Sequence, residues 1–140
     1  MAYQIPNQGD NYIMSAAFQG SSSYLTLNLF SNDVSLTATM ASSDCTILTA
    51  GGYAASQIHK TAWCIPYLSA GSAEVSASGN NANGFQFSFT AAPNQSAFGY
   101  VISNTAVGTG ICIVVEKFAS SYYLANAGDT ITIKPKVRAT

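Results

Sequence analysis

The chain has 140 residues, the length of one ordinary domain, and it is long enough to bury about two-thirds of the surface that its unfolded form exposes. Only 8% of its residues are charged, against about 25% in a typical soluble protein, and the formal net charge is −1. This balance gives no electrostatic basis for binding nucleic acid or an anionic membrane, and no apolar run approaches the roughly 18–20 residues of a membrane span.

The first 20 residues are predicted to form an extended arm followed by a short helix. Pro6 favours extended geometry in residues 1–8, and Asp10 is a candidate N-cap for a helix that would end at Gly20. A helix this short is not stable alone, so we expect it to dock on its own sandwich or on a neighbouring subunit. The segment lacks the basic and apolar regions of a signal peptide, so we expect synthesis in the host cytoplasm.

The chain beyond the arm begins with short strand-like segments separated by loops. Residues 24–30 alternate leucines with polar residues, as a half-buried strand does. Residues 34–44 are rich in serine, threonine and alanine, and we predict a long surface loop with room for an edge strand. Shorter strands are predicted at residues 45–49, 53–58, 63–65 and 74–77.

Residues 84–118 carry the strongest strand pattern of the chain, in segments separated by turn-rich breaks. The first segment, residues 85–90, places phenylalanines on one face, and burying each of them would contribute roughly 1.5–3 kcal/mol. The second, residues 98–103, also has one aromatic and aliphatic face. The third, residues 111–118, is apolar on both faces through Val115, which predicts a central strand covered on both sides.

The last part of the chain predicts further strands. Residues 120–124 lead into a turn at 126–129, and residues 130–134 alternate again before Pro135, which places this strand at an edge or ends it there. Short strands at this spacing predict an all-β fold, an antiparallel β-sandwich that spans residues 21–140 as one domain. The jelly-roll and the immunoglobulin-like strand orders both fit this pattern.

The sequence contains no arrangement of residues that is typical of a catalytic site. His59 is the one histidine, and the chain has no Gly-x-Ser-x-Gly elbow to accompany it. The acidic residues show no spacing that would place two of them across a cleft, and Glu116 beside Lys117 is typical of an exposed strand pair. We therefore predict that the protein is not an enzyme, and we expect no small-molecule substrate and no cofactor.

The three cysteines are Cys45, Cys64 and Cys112. An odd number argues against a closed disulfide framework and leaves room for a single bridge at most. Together with His59 they could arithmetically make a zinc site, but no two of them have the C-x2–4-C spacing of such sites, so we expect no metal. Cys112 lies in an apolar segment, which is typical of a buried free thiol.

Aromatic residues are the remaining candidates for binding. Trp63 and Tyr53 are predicted to fill the core or a contact between subunits, whereas exposed aromatics on a sandwich would indicate a lectin-like module. Tyr122 and Tyr123 are adjacent in a predicted strand and point to opposite faces, so at least one is expected to be exposed. The cations of residues 134–138 predict a solvated strand end or a contact with an acidic partner surface.

Residues 25–34, Leu-Thr-Leu-Asn-Leu-Phe-Ser-Asn-Asp-Val, resemble the opening of small structural proteins from tailed phages. Further pieces follow in the same order as in those proteins, at residues 51–55, 63, 85–89, 98–103, 116–118 and 126–135. The resemblance covers most of the chain beyond Tyr24, departs at residues 34–48 and in the loop before Phe85, and rests on aromatic residues, turns and strand ends. The chain is thus similar to the decoration, or cement, proteins of phage capsids.

This resemblance implies a homotrimer on the capsid exterior of a virion, with the major capsid protein as partner, and it brings no catalytic residue. Strand number and this context favour the jelly roll over the immunoglobulin-like sandwich. An arm of residues 1–20 would grip the shell or a neighbouring subunit. The residues expected at the capsid or subunit interface are Tyr3, Ile5, Tyr12, Met14, Tyr122 and Tyr123. The alternative is a phage tail, fibre or other virion component that binds host glycans.

Overall fold

The computed structural model describes residues 24–37, 39–70, 72–79, 84–104 and 112–138. These residues form an all-β fold of antiparallel strands, which confirms the predicted fold class. The predicted arm and helix of residues 1–20 lie outside the described residues. The strands are β1 (Tyr24–Phe30), β2 (Ser56–His59), β3 (Tyr67–Ser69), β4 (Ser72–Ser76), β5 (Phe85–Ser88), β6 (Gln95–Ser103), β7 (Cys112–Leu124), β8 (Thr130–Ile133) and β9 (Lys136–Arg138). Two short 3₁₀ turns, Ser42–Asp44 and Lys60–Ala62, lie between strands.

The strands assemble into three sheets. The four-stranded sheet has the order β2-β1-β6-β7, the three-stranded sheet the order β3-β4-β9, and β5 pairs with β8 in a two-stranded sheet. The sheets do not close into a barrel, in keeping with a β-sandwich. The choice between the jelly-roll and immunoglobulin-like strand orders stays a prediction, as does the division of the chain at residue 20.

The main core joins one face of the four-stranded sheet to the inner face of the β5-β8 pair. Because side chains alternate along a strand, the leucines at every second position of β1 reach this core together, as do Phe85 and Phe87 of β5. Ile131 and Ile133 of β8 lie in the same cluster. Trp63 is 3% exposed and also packs here, so the predicted core role of this tryptophan is confirmed.

A second, smaller core lies on the opposite face of the four-stranded sheet. The segment between β1 and β2 crosses this face, held by a hydrogen bond from Ser31 N to Thr46 O of 2.7 Å. The strand predicted at residues 45–49 is reduced to one bridging residue, Ile47, which pairs with Phe30. The buried members of this second core are Phe30, Val34, Cys45 and Val101.

The prediction that residues 111–118 form a central strand is wrong, because β7 lies at an edge of its sheet. This strand runs through residue 124 and therefore also includes the strand predicted at residues 120–124. Its centre is apolar on both faces because Val114 packs against the main core, while Val115 packs against the second core on the other side. The two-sided apolar pattern thus reports two covered faces and not a central position.

Pro135 separates the last two strands of the chain. The strand predicted at residues 130–134 ends at Ile133, which confirms the expectation that this proline ends it. The chain then leaves β5, the partner of β8, and continues as β9 beside β4. Pro135 is buried at this crossing, and its carbonyl accepts a 3.0 Å hydrogen bond from Ala77 N. The crossing connects the two-stranded sheet to the three-stranded sheet.

Candidate interface surface

The predicted interface residues within the described chain are Tyr122 and Tyr123, near the end of β7. They are 55% and 64% exposed, so both lie on the surface. Because neighbours in a strand point to opposite faces, the two rings belong to two different surfaces. Tyr122 packs edge to face against Phe118 with ring centroids 5.2 Å apart, which extends an aromatic strip along one side of the strand.

An irregularity in β7 places Phe118 and Tyr122 side by side. Ala97 of β6 pairs with Tyr122, but Gly99, two positions later, pairs with Lys117, so residues 118–121 of β7 lie opposite a single residue of β6. Such extra residues form a bulge that bends a strand and re-aims its side chains. The bulge explains why the pattern of the sequence did not identify Phe118 as part of this surface.

Gly99 permits the close approach of β6 and β7 just before the bulge. A Cβ at this position would lie 2.0 Å from Glu116 O and 2.5 Å from Cζ of Phe30. Both distances are far below van der Waals contact, so any larger residue would push the two strands apart. The register on both sides of the bulge therefore depends on this glycine.

A groove of about 370 Å³ opens between β7 and β8, and we call it the β7–β8 groove. Its described lining consists of Phe118 and Tyr122 on one side and of the four consecutive residues of β8, Thr130–Ile133, on the other. Successive side chains of a strand point to opposite faces, so a lining by consecutive residues means that the backbone edge of β8 faces the groove. In the described part of the chain, β8 pairs with β5 alone and this second edge has no strand partner.

The groove is uncharged over its described lining residues. The ionic groups near it are paired elsewhere: Lys117 Nζ lies 2.5 Å from Asp33 Oδ1, and Glu116 accepts a hydrogen bond from the hydroxyl of Tyr100. Burial raises the pKa of the Tyr100 hydroxyl, and the bond to Glu116 raises it further, so this tyrosine remains a neutral donor. The groove therefore favours a neutral occupant.

The C-terminal cations contact an acid of the same chain. Glu74 is 1% exposed, its Oε1 accepts from Lys136 Nζ at 3.0 Å, and its Oε2 accepts from Arg138 Nη2 at 2.9 Å. The hydroxyl of Tyr67 donates a further hydrogen bond to Oε1. These donors, the tyrosine first, lower the pKa of Glu74 to about 2. A carboxylate held ionised between three strands acts as a clamp of the β3-β4-β9 sheet.

Tyr53 forms a second structural cluster, inside the sandwich. Its ring stacks on Phe87 with centroids 5.7 Å apart and planes within 10°. Its hydroxyl accepts a 2.8 Å hydrogen bond from Leu29 N and donates one of 3.0 Å to Asn28 Oδ1. Burial raises the pKa of this hydroxyl. Tyr53 therefore ties β1 to the main core, as the sequence predicted for a core aromatic.

The three cysteines are free thiols in this structure. Burial raises the pKa of Cys45 to about 11 and also raises that of Cys112, which disfavours the reactive thiolate form at both positions. Cys64 Sγ accepts a 3.3 Å hydrogen bond from Ser76 N. Within the described ranges, no three histidine, cysteine or acidic side chains come together as a metal site would require. His59 instead lies beside Tyr24, with ring centroids 6.1 Å apart.

Four predicted interface residues, Tyr3, Ile5, Tyr12 and Met14, lie outside the described residues. Among the residues that are described, no helix is long and apolar enough to cross a membrane. Comparisons of the chain with protein-family models, with curated proteins and with solved structures found no match.

Proposed function

We propose that this protein is a phage capsid decoration protein, which binds the exterior of the shell formed by the major capsid protein and stabilises that shell as a homotrimer. The observation that carries the proposal is the uncharged, partly aromatic groove between β7 and β8 on an otherwise closed β-domain. Cores of protein–protein interfaces are enriched in aromatic residues and depleted of charges, and the described lining of this groove has both properties.

The resemblance to tailed-phage structural proteins supports the same function. Its pieces fall on elements that make the domain stiff: residues 25–30 lie in β1, residues 85–88 form β5, and residues 126–129 form the turn before β8. In that turn Asp129 Oδ2 accepts hydrogen bonds from Asn126 N at 2.9 Å and from Ala125 N at 3.0 Å. A stiff scaffold suits a protein that must reinforce a shell without chemistry of its own.

The proposed function is tested by electron cryo-microscopy of particles assembled with and without this protein. We expect additional density on the outside of the head when the protein is present. Removal of residues 1–20 is expected to abolish capsid binding while circular dichroism still reports the folded β-domain. Binding that survives this deletion would contradict the arm assignment, and density confined to the tail would contradict the decoration function.

The second candidate is a virion component that binds host glycans through its tail or fibre position. Exposed aromatic rings at Tyr122 and Tyr123 favour it, because such rings can stack on sugar faces. Trp63 does not contribute to a sugar platform, since it is buried in the main core. A glycan array in which binding is lost in Tyr122→Ala would favour this candidate over capsid decoration.

A further inference from the structure

The β7–β8 groove offers the two features that recognise an extended polypeptide. One wall is the backbone edge of β8, whose strand partner within the described residues is β5 on the other side. The other wall carries the rings of Phe118 and Tyr122. Unpaired backbone groups give hydrogen bonds to an added strand of any sequence, while pockets beside the edge select alternate side chains of that strand.

The other sheet edges carry protection against strand addition that β8 lacks. β2 and β3 are short, at four and three residues, and β9 is a three-residue strand that follows Pro135 and carries Lys136 and Arg138. Short length, proline and cations are the usual means of blocking an edge. β8 is also short, but the sequence from Thr130 to Ile133 has no charge and no proline, and its edge opens on an aromatic wall.

We propose that residues 1–8 of a neighbouring copy of this chain occupy the β7–β8 groove as an added strand beside β8. This segment contains no charged side chain, which matches the uncharged described lining of the groove. Tyr3 and Ile5 are two positions apart, so in an extended segment both point to one side, where the aromatic wall lies. Pro6 lacks an N–H and limits the pairing to a few residues, in proportion to the four residues of β8.

The register of the four-stranded sheet favours a contact between copies. The described domain begins at Tyr24, and two residues later Thr26 pairs with Ser103, whose other neighbour is Cys112 at the start of β7. The groove lies near the other end of β7, where Tyr122 pairs with Ala97, about 20 Å away along β6. Residues 9–23 span up to roughly 50 Å when extended, which is enough to reach an adjacent molecule.

An arm that enters the groove of the next copy makes a head-to-tail contact. Contacts of this kind close into a ring when the rotation between copies allows it, so the arrangement accounts for the homotrimer of the proposed function. The inference rests on that function for its biological setting. It is nevertheless tested in solution without any capsid, so its failure and the failure of capsid binding are separate results.

The test measures the mass of the full-length chain by light scattering across a range of concentrations. We expect a homo-oligomer that dissociates on dilution. Ile5→Glu in the arm and Thr132→Lys in the groove each bury a charge and should each raise the dissociation constant by at least about tenfold. Because the two positions are placed in contact, the double variant should recover most of the association through the new opposite charges.

Two matched variants control for general effects of added charge. Gln4→Glu changes the neighbouring arm residue that points away from the groove wall, and Ser88→Lys changes an exposed residue of β5, which is not among the lining residues of this groove. Both should keep the association of the original chain. A chain that stays monomeric at every concentration, or an oligomer that both Ile5→Glu and Thr132→Lys leave intact, would overturn the proposal.

Discussion

Arg138 donates two hydrogen bonds to Oε2 of Glu74, of 2.9 Å from Nη2 and 3.2 Å from Nε, and thereby ties β9 to a residue 64 positions earlier in the chain. The carboxylate of Glu74 is 1% exposed, so it is an ionised group at the inner side of a sheet whose cations reach it from the surface. Such a group stabilises the fold as long as it keeps its charge and its donors.

Stability is therefore expected to fall in acid through Glu74. The pKa of this residue is lowered from 4.5 to about 2, so the folded state favours the ionised form and the contribution is complete above about pH 4.5. It is lost as the pH falls from 4.5 toward 2, where the folded protein also takes up the proton. Urea unfolding between pH 2 and 7 measures this loss.

The variant Glu74→Gln isolates the contribution of this carboxylate. Its stability should change less between pH 4.5 and 2 than that of the original chain, and at pH 7 it should unfold at lower urea, because Lys136 and Arg138 lose their anion. Asp33→Asn, at the exposed ion pair with Lys117, is the control and should have a smaller effect at pH 7. Equal pH profiles for Glu74→Gln and the original chain would contradict the clamp.

Tyr53→Phe is expected to destabilise the protein by about 1–2 kcal/mol, because it leaves Leu29 N and Asn28 Oδ1 without their hydroxyl partner while the ring stacking is kept. Urea denaturation followed by circular dichroism gives the free energy of unfolding. Tyr123→Phe removes a hydroxyl from a 64% exposed side chain and should change the stability by less than about 0.5 kcal/mol. Equal effects at the two positions would show that the buried hydroxyl contributes nothing.

Gly99→Ala is expected to cost about 1–3 kcal/mol or more, because its Cβ would overlap the backbone of Glu116 and the ring of Phe30. Gly128→Ala is a useful comparison, since no atom lies within 4 Å of its Cβ and only its backbone, at φ +91°, is unfavourable. Thermal unfolding of both variants separates the steric effect from the backbone effect. A Gly99→Ala protein as stable as the original would mean that β6 and β7 can separate at little cost.

The sequence predicted the sandwich because its strongest signals are local. The alternating leucines of β1 and phenylalanines of β5 each place one face in the core, and their burial follows from the period of a strand. Pro135 likewise ended its strand, since a residue without an N–H cannot continue the pairing at that point.

The features that failed to emerge from the sequence depend on contacts between distant residues. The edge position of β7 was missed because Val114 and Val115 each meet a separate core, and a central strand would give the same apolar pattern. The β7–β8 groove depends on a bulge whose residues, 118–121, carry no turn signal beyond their small size. The partner of the C-terminal cations was also out of reach, since Glu74 lies in another sheet strand far along the chain.

The cysteines provide a test of both cores that needs no substitution. Cys45 lies in the second core with a pKa raised to about 11, so at pH 8 very little of it is thiolate in the folded protein and its reaction with an aromatic disulfide reagent should be slow. In urea all three thiols should react, and mass spectrometry of the labelled protein identifies each one. Rapid native labelling of Cys45 would contradict the packing of the segment between β1 and β2 over this face of the sheet.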